Sequence, residues 1–268
     1  MRKQQFSVLT YNIHKGFFIH PAAYVLEEIK QAIHSVRADL VFLQEIKAHH
    51  EIKLSRRRQK SEDREIQNQL EVIADTLWPY SAFGKNAAYS SGNHGNAILS
   101  VQPFSTWDNY DISTNQFEKR GVLHVTLERG PGLAPMHLFC LHLNLLEKGR
   151  KVQIRQFTRE ILEQVPHTAP VIIAGDFNDW RGRIERYFAG DLGLQEAHTV
   201  LRGEKAKTFP SWLPVLPLDR IYFSNVKVTA CQVLRGRPWS RLSDHSAILA
   251  HFEQSFGWDN SADSQNEY

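Results

Sequence analysis

The apolar residues of this chain fall into short runs that alternate with stretches of helical period, and that alternation confines it to an α/β architecture. Residues 6–13 have the length and apolar density of a buried strand. Further strand-like runs cover 40–43, 96–99, 121–127, 136–143, 171–174, 220–223, 226–234 and 247–252. Three stretches between them repeat with a period near four. Residues 21–36 place Val25, Leu26, Ile29, Ile33 and Val36 on one helical face, with Pro21 suited to a first helical position. Residues 65–77 do the same with Ile66, Leu70, Ile73 and Leu77, and 147–165 with Ile154, Phe157, Ile161 and Val165. No Pro/Gly/Ser-rich linker or internal repeat interrupts the series. A single domain over residues 1–253 is expected, followed by a polar, disordered tail over 254–268.

Composition narrows the class. No apolar stretch approaches the roughly 20 residues of a membrane-spanning helix, so an integral membrane protein is excluded and a soluble, cytoplasmic one is expected. The two Cys, Cys140 and Cys231, have neither zinc-ligand nor redox-pair spacing, which suits a reduced compartment. The start of the chain shows no signal-peptide apolar core. With 32 Lys and Arg against 29 Asp and Glu, net charge does not mark a nucleic-acid partner.

The chemistry-bearing residues stand at the ends of the apolar runs. Asn12 closes the first and Glu45 the second. Gly175-Asp176-Phe177-Asn178 closes 171–174, Asp219 opens 220–223, and Ser243-Asp244-His245 precedes 247–252. His142 lies near the end of 136–143. Each has a plain alternative: Glu45 as a surface residue, Asp176 and Asn178 as turn formers. As a set they supply metal-assisted phosphoryl transfer. A hard cation takes carboxylate and amide oxygens, a carboxylate orients and deprotonates water, and an imidazole beside a carboxylate donates to a phosphate.

These motifs, in this order and spanning residues 6–252, resemble the endonuclease/exonuclease/phosphatase superfamily. That superfamily includes pancreatic deoxyribonuclease, inositol polyphosphate 5-phosphatases and neutral sphingomyelinases. The resemblance implies a DNase I-like four-layer α/β sandwich, two mixed β-sheets packed face to face with helices outside. It implies a hydrolase of phosphodiester bonds working by in-line attack of an activated water, with Mg²⁺ or Mn²⁺ as cofactor. Glu45 is then the principal metal ligand, with Asn12 nearby and Asp244 a further ligand. Asp176 is the base, and Asn178 holds it or a phosphate oxygen. His245 contacts the scissile phosphate, oriented by Asp219, and His142 is the second histidine. In the nuclease branch that histidine has a carboxylate partner; here Asn96 takes the place, so His142 is assigned to phosphate binding.

Arg120 and Asn96 are assigned to the substrate phosphate, with a surface ion pair as the equal alternative for Arg120. Nucleic acid is the favoured substrate, with Lys47, Lys53, Arg56 to Arg58, Arg181, Arg183 and Arg186 as the expected basic rim. The charged stretch 47–65 reads first as a solvated face. A lipid or inositol phosphate substrate is the alternative, with Phe17, Phe18 and Trp180 as candidate contacts; a catalytically dead binding module ranks below both. Trp212, between Pro210 and Pro214, is expected to pack into the core.

Overall fold

Apolar side chains on both faces of a strand require a cover on each side, and in this chain the covers are a second sheet and a layer of helices. A computed structural model describes residues 3–18, 23–48, 69–89, 92–129, 133–188 and 193–255. In chain order the strands are β1 (Lys3–Asn12), β2 (Phe17–Phe18), β3 (Ala23–Tyr24), β4 (Leu40–Ala48), β5 (Tyr80–Tyr89), β6 (Gly92–Ser100), β7 (Phe104–Asp111), β8 (Gly121–Leu127), β9 (Met136–His142), β10 (Val171–Asp176), β11 (Gln195–Glu196), β12 (Asp219–Ser224), β13 (Lys227–Val233) and β14 (Ile248–Ser255). The helices are α1 (Leu26–Val36), α2 (Gln69–Ala74), α3 (Glu147–Gln156), α4 (Glu185–Phe188) and α5 (Ala197–Arg202). One six-stranded sheet has the order β13-β14-β1-β4-β6-β5 and the other β11-β12-β10-β9-β8-β7.

The sheets meet through alternate positions of their strands. Val8, Phe42 and Ile98 of the first pack against Leu123, Leu138, Ile172 and Ile221 of the second. The other face of the first sheet (Leu9, Val41, Leu43) is covered by Ile29 and Ile33 of α1 and Ile73 of α2. The other face of the second (Phe139, Ile173, Tyr222) is covered by Ile154, Phe157 and Phe188. This is the expected four-layer sandwich. Each sheet is mixed: β1 runs parallel to β4, and β9 to β10, while their other neighbours are antiparallel. The C-terminal ends of these two parallel pairs lie at one end of the sandwich, where β12 and β14 begin.

Several expectations are corrected. Helix α1 starts at Leu26 rather than at 21, because 23–24 pair with 17–18 in a two-stranded ribbon; Pro21 lies outside the described residues. Of the helix expected over 65–77 the described part is helical only from Gln69 to Ala74. The third helix widens into a π turn at Phe157–Ile161. Strand β14 spans Ile248–Ser255, three residues past the expected run of 247–252. Gly175 sits within β10, with φ +149°. A Cβ there would lie 2.0 Å from the Leu141 carbonyl oxygen, so only glycine lets β10 approach β9 this closely.

Candidate active site

The polar cluster is the continuation of the inter-sheet core. Strand positions two apart share a face, so the core-facing rows run out into Val8–Thr10–Asn12, Leu138–Cys140–His142, Ile172–Ala174–Asp176 and Phe223–Ile221–Asp219. Register then aligns them: His142 is paired with Asp176, and Asp176 with Asp219. His245, just before β14, completes the group from the first-sheet side. All these side chains are nearly or fully buried.

Asp176 Oδ2 is the focus. It accepts from Asn12 Nδ2 at 3.1 Å and lies 3.6 Å from His142 Nε2 and 3.7 Å from His245 Nε2. Its other oxygen accepts the Asn178 backbone N–H at 2.9 Å. Asn178, with φ 51°, spends its side-chain amide on the Leu143 carbonyl and so ties the ends of β9 and β10 together. Asp219 Oδ2 accepts from His245 Nδ1 at 2.8 Å, while its buried Oδ1 has no hydrogen-bond partner.

These contacts sort the protonation states. Burial alone would push His245 down, but the carboxylates of Asp219, Asp176 and Asp244 together outweigh it and raise the imidazole to about 10. Burial pushes His142 well below its ordinary value, with the Arg120 guanidinium and His245 adding to the effect, so it is neutral. Burial also lifts Asp176 above the usual carboxylate range, against the pull of His245. The site therefore pairs one imidazolium with one neutral imidazole on either side of one carboxylate.

Glu45 and Asp244 lie at the open side of this cluster. A register shift between Leu43 and Ile46 gives Glu45 a left-handed backbone, φ 57°, and turns it out of the ladder. Its Oε2 and Asp244 Oδ1 lie 3.9 and 3.5 Å from one atom, His14 Nδ1. His14 and Lys15 also have positive φ, at 44° and 58°. Backbone conformations that cost about 1–3 kcal/mol each are thus gathered at this end. Both carboxylates thus face one imidazole nitrogen and place oxygen ligands, the kind a hard divalent cation takes, on the open side of the cluster. Asp176, Asp219 and His245 also offer ligand atoms within 4.8 Å of one another. His245 is protonated there and its Nδ1 is committed to Asp219, so that trio suits proton chemistry better than metal ligation.

The remaining expectations divide. Asn96 is fully buried and its amide nitrogen donates to the Gly121 and Cys140 carbonyls. It pins one sheet to the other below the site, with both donor hydrogens spent on these carbonyls. Arg120 bonds Glu118 at 3.0 Å and the Leu143 carbonyl, in keeping with the ion-pair alternative, yet it lies near enough to depress His142. Of the basic rim, Lys53 and Arg56 to Arg58 lie outside the described residues, as do the side chains of Phe17 and Phe18. Arg183 pairs with Glu147, Arg181 lies over Trp180, and Arg186 lies over Tyr187. Trp212 is 69 % exposed rather than packed in the core.

Sequence reading missed three contributors. His14 bridges the two outer carboxylates. Asp179 and Arg220 form a buried pair, 3.4 Å apart, and Arg220 also donates to the Asp179 carbonyl. That guanidinium locks the loop after Asp176 to the strand that carries Asp219. The signal was present in the adjacent Asn178-Asp179 and Asp219-Arg220 pairs.

A double-sheet sandwich with an Asp–His pair, a second imidazole and two outer carboxylates at its strand ends defines a phosphoester hydrolase scaffold. The chain belongs to the Endonuclease/Exonuclease/phosphatase family, whose model matches residues 9–245 and whose members hydrolyse phosphoester bonds. It is 40% identical over 249 residues to "Uncharacterized protein YbhP" of Escherichia coli (strain K12), covering 92% of this chain and 96% of that one. Among solved structures, an endonuclease/exonuclease/phosphatase from Beutenbergia cavernae DSM 12333 superposes with a TM-score of 0.72 at 18% identity, covering 94% of this chain and 72% of that chain. D. rerio TDP2 complexed with single strand DNA product superposes at 0.67 and 15% identity, covering 93% and 99%.

Proposed function

We propose that the protein hydrolyses phosphodiesters by in-line attack of a water, with Mg²⁺ or Mn²⁺ as cofactor. The observation that carries this reading is the convergence of Asn12, His142 and His245 on one oxygen of Asp176. Asp176, lifted by burial, receives the proton of the attacking water, and Asn12 and the Asn178 N–H hold the carboxylate in place. His245, kept charged by Asp219, donates Nε2–H to a non-bridging phosphate oxygen as charge develops there. Neutral His142 contributes a second hydrogen bond on the same side. Glu45 and Asp244 would hold the divalent ion, with Asn12 beside them. When bound, that ion supplies Lewis-acid polarisation of the phosphoryl group and neutralises the leaving oxygen.

This chemistry serves nucleic-acid and lipid-head-group diesters alike. Nucleic acid draws support from the fold shared with a DNA-bound relative; the surroundings of the site favour the second class, developed below. The test uses bis(p-nitrophenyl) phosphate. Hydrolysis is expected to stop in EDTA, to return with Mg²⁺ or Mn²⁺, and to fall at least about 100-fold in Glu45→Gln. Undiminished turnover in EDTA, or a fully active Glu45→Gln protein, would overturn the assignment.

A further inference from the structure

Among the described residues the most exposed large apolar side chains lie at the end of the sandwich that carries the candidate site. Among the described residues the five most exposed large ones are Phe117, Leu146, Trp212, Leu145 and Leu213, at 84, 74, 69, 63 and 58%. All five stand on connections that leave strand ends beside the site. Phe117 lies between β7 and β8, Leu145 and Leu146 follow His142, and Trp212 and Leu213 precede Asp219. Trp180, 44% exposed, follows Asn178.

These tips are held by the frame of the site. Glu118 accepts the Leu145 N–H while pairing with Arg120. Arg150 donates to the carbonyls of Asn144 and Leu145 and lies 5.5 Å from the Trp180 ring centre. The Ser211 N–H donates to the Asp244 carbonyl and the Phe209 ring packs against His245, which sets Trp212 at the mouth. Large apolar groups left in water on several converging loops mark a docking surface.

Charge indicates what docks. The connections 112–120, 143–146, 177–184, 203–218 and 234–247 carry nine Lys and Arg against four Asp and Glu, whereas the whole chain is nearly balanced at 32 against 29. Arg120, Arg183 and Lys205 are paired with Glu118, Glu147 and Glu185, and the positive excess left on these connections suits an anionic partner. Leu145, Leu146 and Leu213 have no π face on which a base could stack, which disfavours a single strand of nucleic acid. Aliphatic tips mixed with Trp and Phe and surrounded by cations are the composition of a surface that enters the boundary between lipid head groups and acyl chains.

We propose that this end of the sandwich docks on an anionic lipid surface, and that the diester presented to Asp176 and His245 is a phospholipid head group. The proposal rests on the phosphodiesterase reading of the site for its substrate, but not for its docking. The full chain is mixed in EDTA with vesicles of phosphatidylcholine, or of phosphatidylcholine with phosphatidylglycerol, and sedimented. Binding to the mixed vesicles is expected, weakened by salt. The Phe117→Ser/Leu146→Ser/Trp212→Ser variant should bind at least about tenfold more weakly and should hydrolyse soluble bis(p-nitrophenyl) phosphate at the unchanged rate. Leu146→Trp, which adds interfacial area without removing a contact, should bind more tightly.

Equal vesicle binding by wild type and both variants, or none by wild type, overturns the docking. So does loss of single-stranded oligonucleotide binding in the triple variant with vesicle binding intact, which makes nucleic acid the occupant. A dimer in sedimentation equilibrium that the triple variant dissolves makes it a second copy of the chain. Failure of the catalytic reading shows itself separately, as vesicle binding without hydrolysis of the soluble diester.

Discussion

Replacing Asp219 by Asn removes the charge that keeps His245 protonated while preserving the shape that holds its ring. The imidazole moves from 6.5 to about 10 on folding, a difference worth about 5 kcal/mol at 1.36 kcal/mol per unit. Because the folded value is the higher one, this stabilisation is fully present below pH 6.5 and is lost as the pH rises through 10. It amounts to about 4 kcal/mol at pH 7 and about 1 kcal/mol at pH 9.5, so roughly 3 kcal/mol should disappear across that interval. In Asp219→Asn only the more distant Asp176 and Asp244 remain to hold the charge, and the loss over the same interval should shrink to about 1 kcal/mol or less. Urea unfolding of both proteins at several pH values in EDTA measures this directly. Activity at pH 7 should fall by about 10²–10³-fold, because the donor to the phosphate is now largely neutral. Parallel stability–pH curves for the two proteins would refute the claim that Asp219 sets the protonation of His245.

Three further outcomes follow from the same geometry. Asp176→Asn should lower kcat by at least about 100-fold with an unchanged circular dichroism spectrum; activity within tenfold of wild type would mean that another group takes the proton. Gly175→Ala should cost about 2–4 kcal/mol in urea unfolding, since the new methyl meets the Leu141 carbonyl, and a neutral substitution would show that β9 and β10 separate freely. His124, stacked on Phe139 at 4.3 Å, is pushed down to about 4 by burial and by His137. The unfolded chain therefore binds the extra proton, and wild-type stability should drop by about 3 kcal/mol as the pH falls from 6.5 to 4. His124→Phe should flatten that drop, and equal acid sensitivity in the two proteins would count against it.

The parts legible in the sequence were those in which one physical requirement dominates. Central strands such as β10 are buried throughout and must be apolar along their length, and the polar residues that close them stand out for that reason. Strands β5 and β7 escaped notice because each is the edge strand of its sheet. In β7 six of the eight residues are exposed, so Phe104–Asp111 carries no apolar run to read. The use Asn96 makes of its amide is not legible in the sequence, because an Asn has the same one-dimensional signature whether it faces a ligand or bonds backbone carbonyls. His14 was passed over because its place between Glu45 and Asp244 depends on three left-handed residues, which spacing does not reveal. Trp212 was placed in the core on general tendency, and the loop instead holds it outward beside Asp244.

The first sheet is drawn from both ends of the chain, with β1 held between β14 and β4, while β7 to β12 form the second. During synthesis Asn12 and Glu45 are made early and must wait for Asp244 and His245, which come more than two hundred residues after Asn12. Until β14 arrives, one edge of β1 stays unpaired and open to foreign strands. A chain ended before His245 would lack the imidazolium altogether, so this half of the site forms only when residues far apart in the sequence have met.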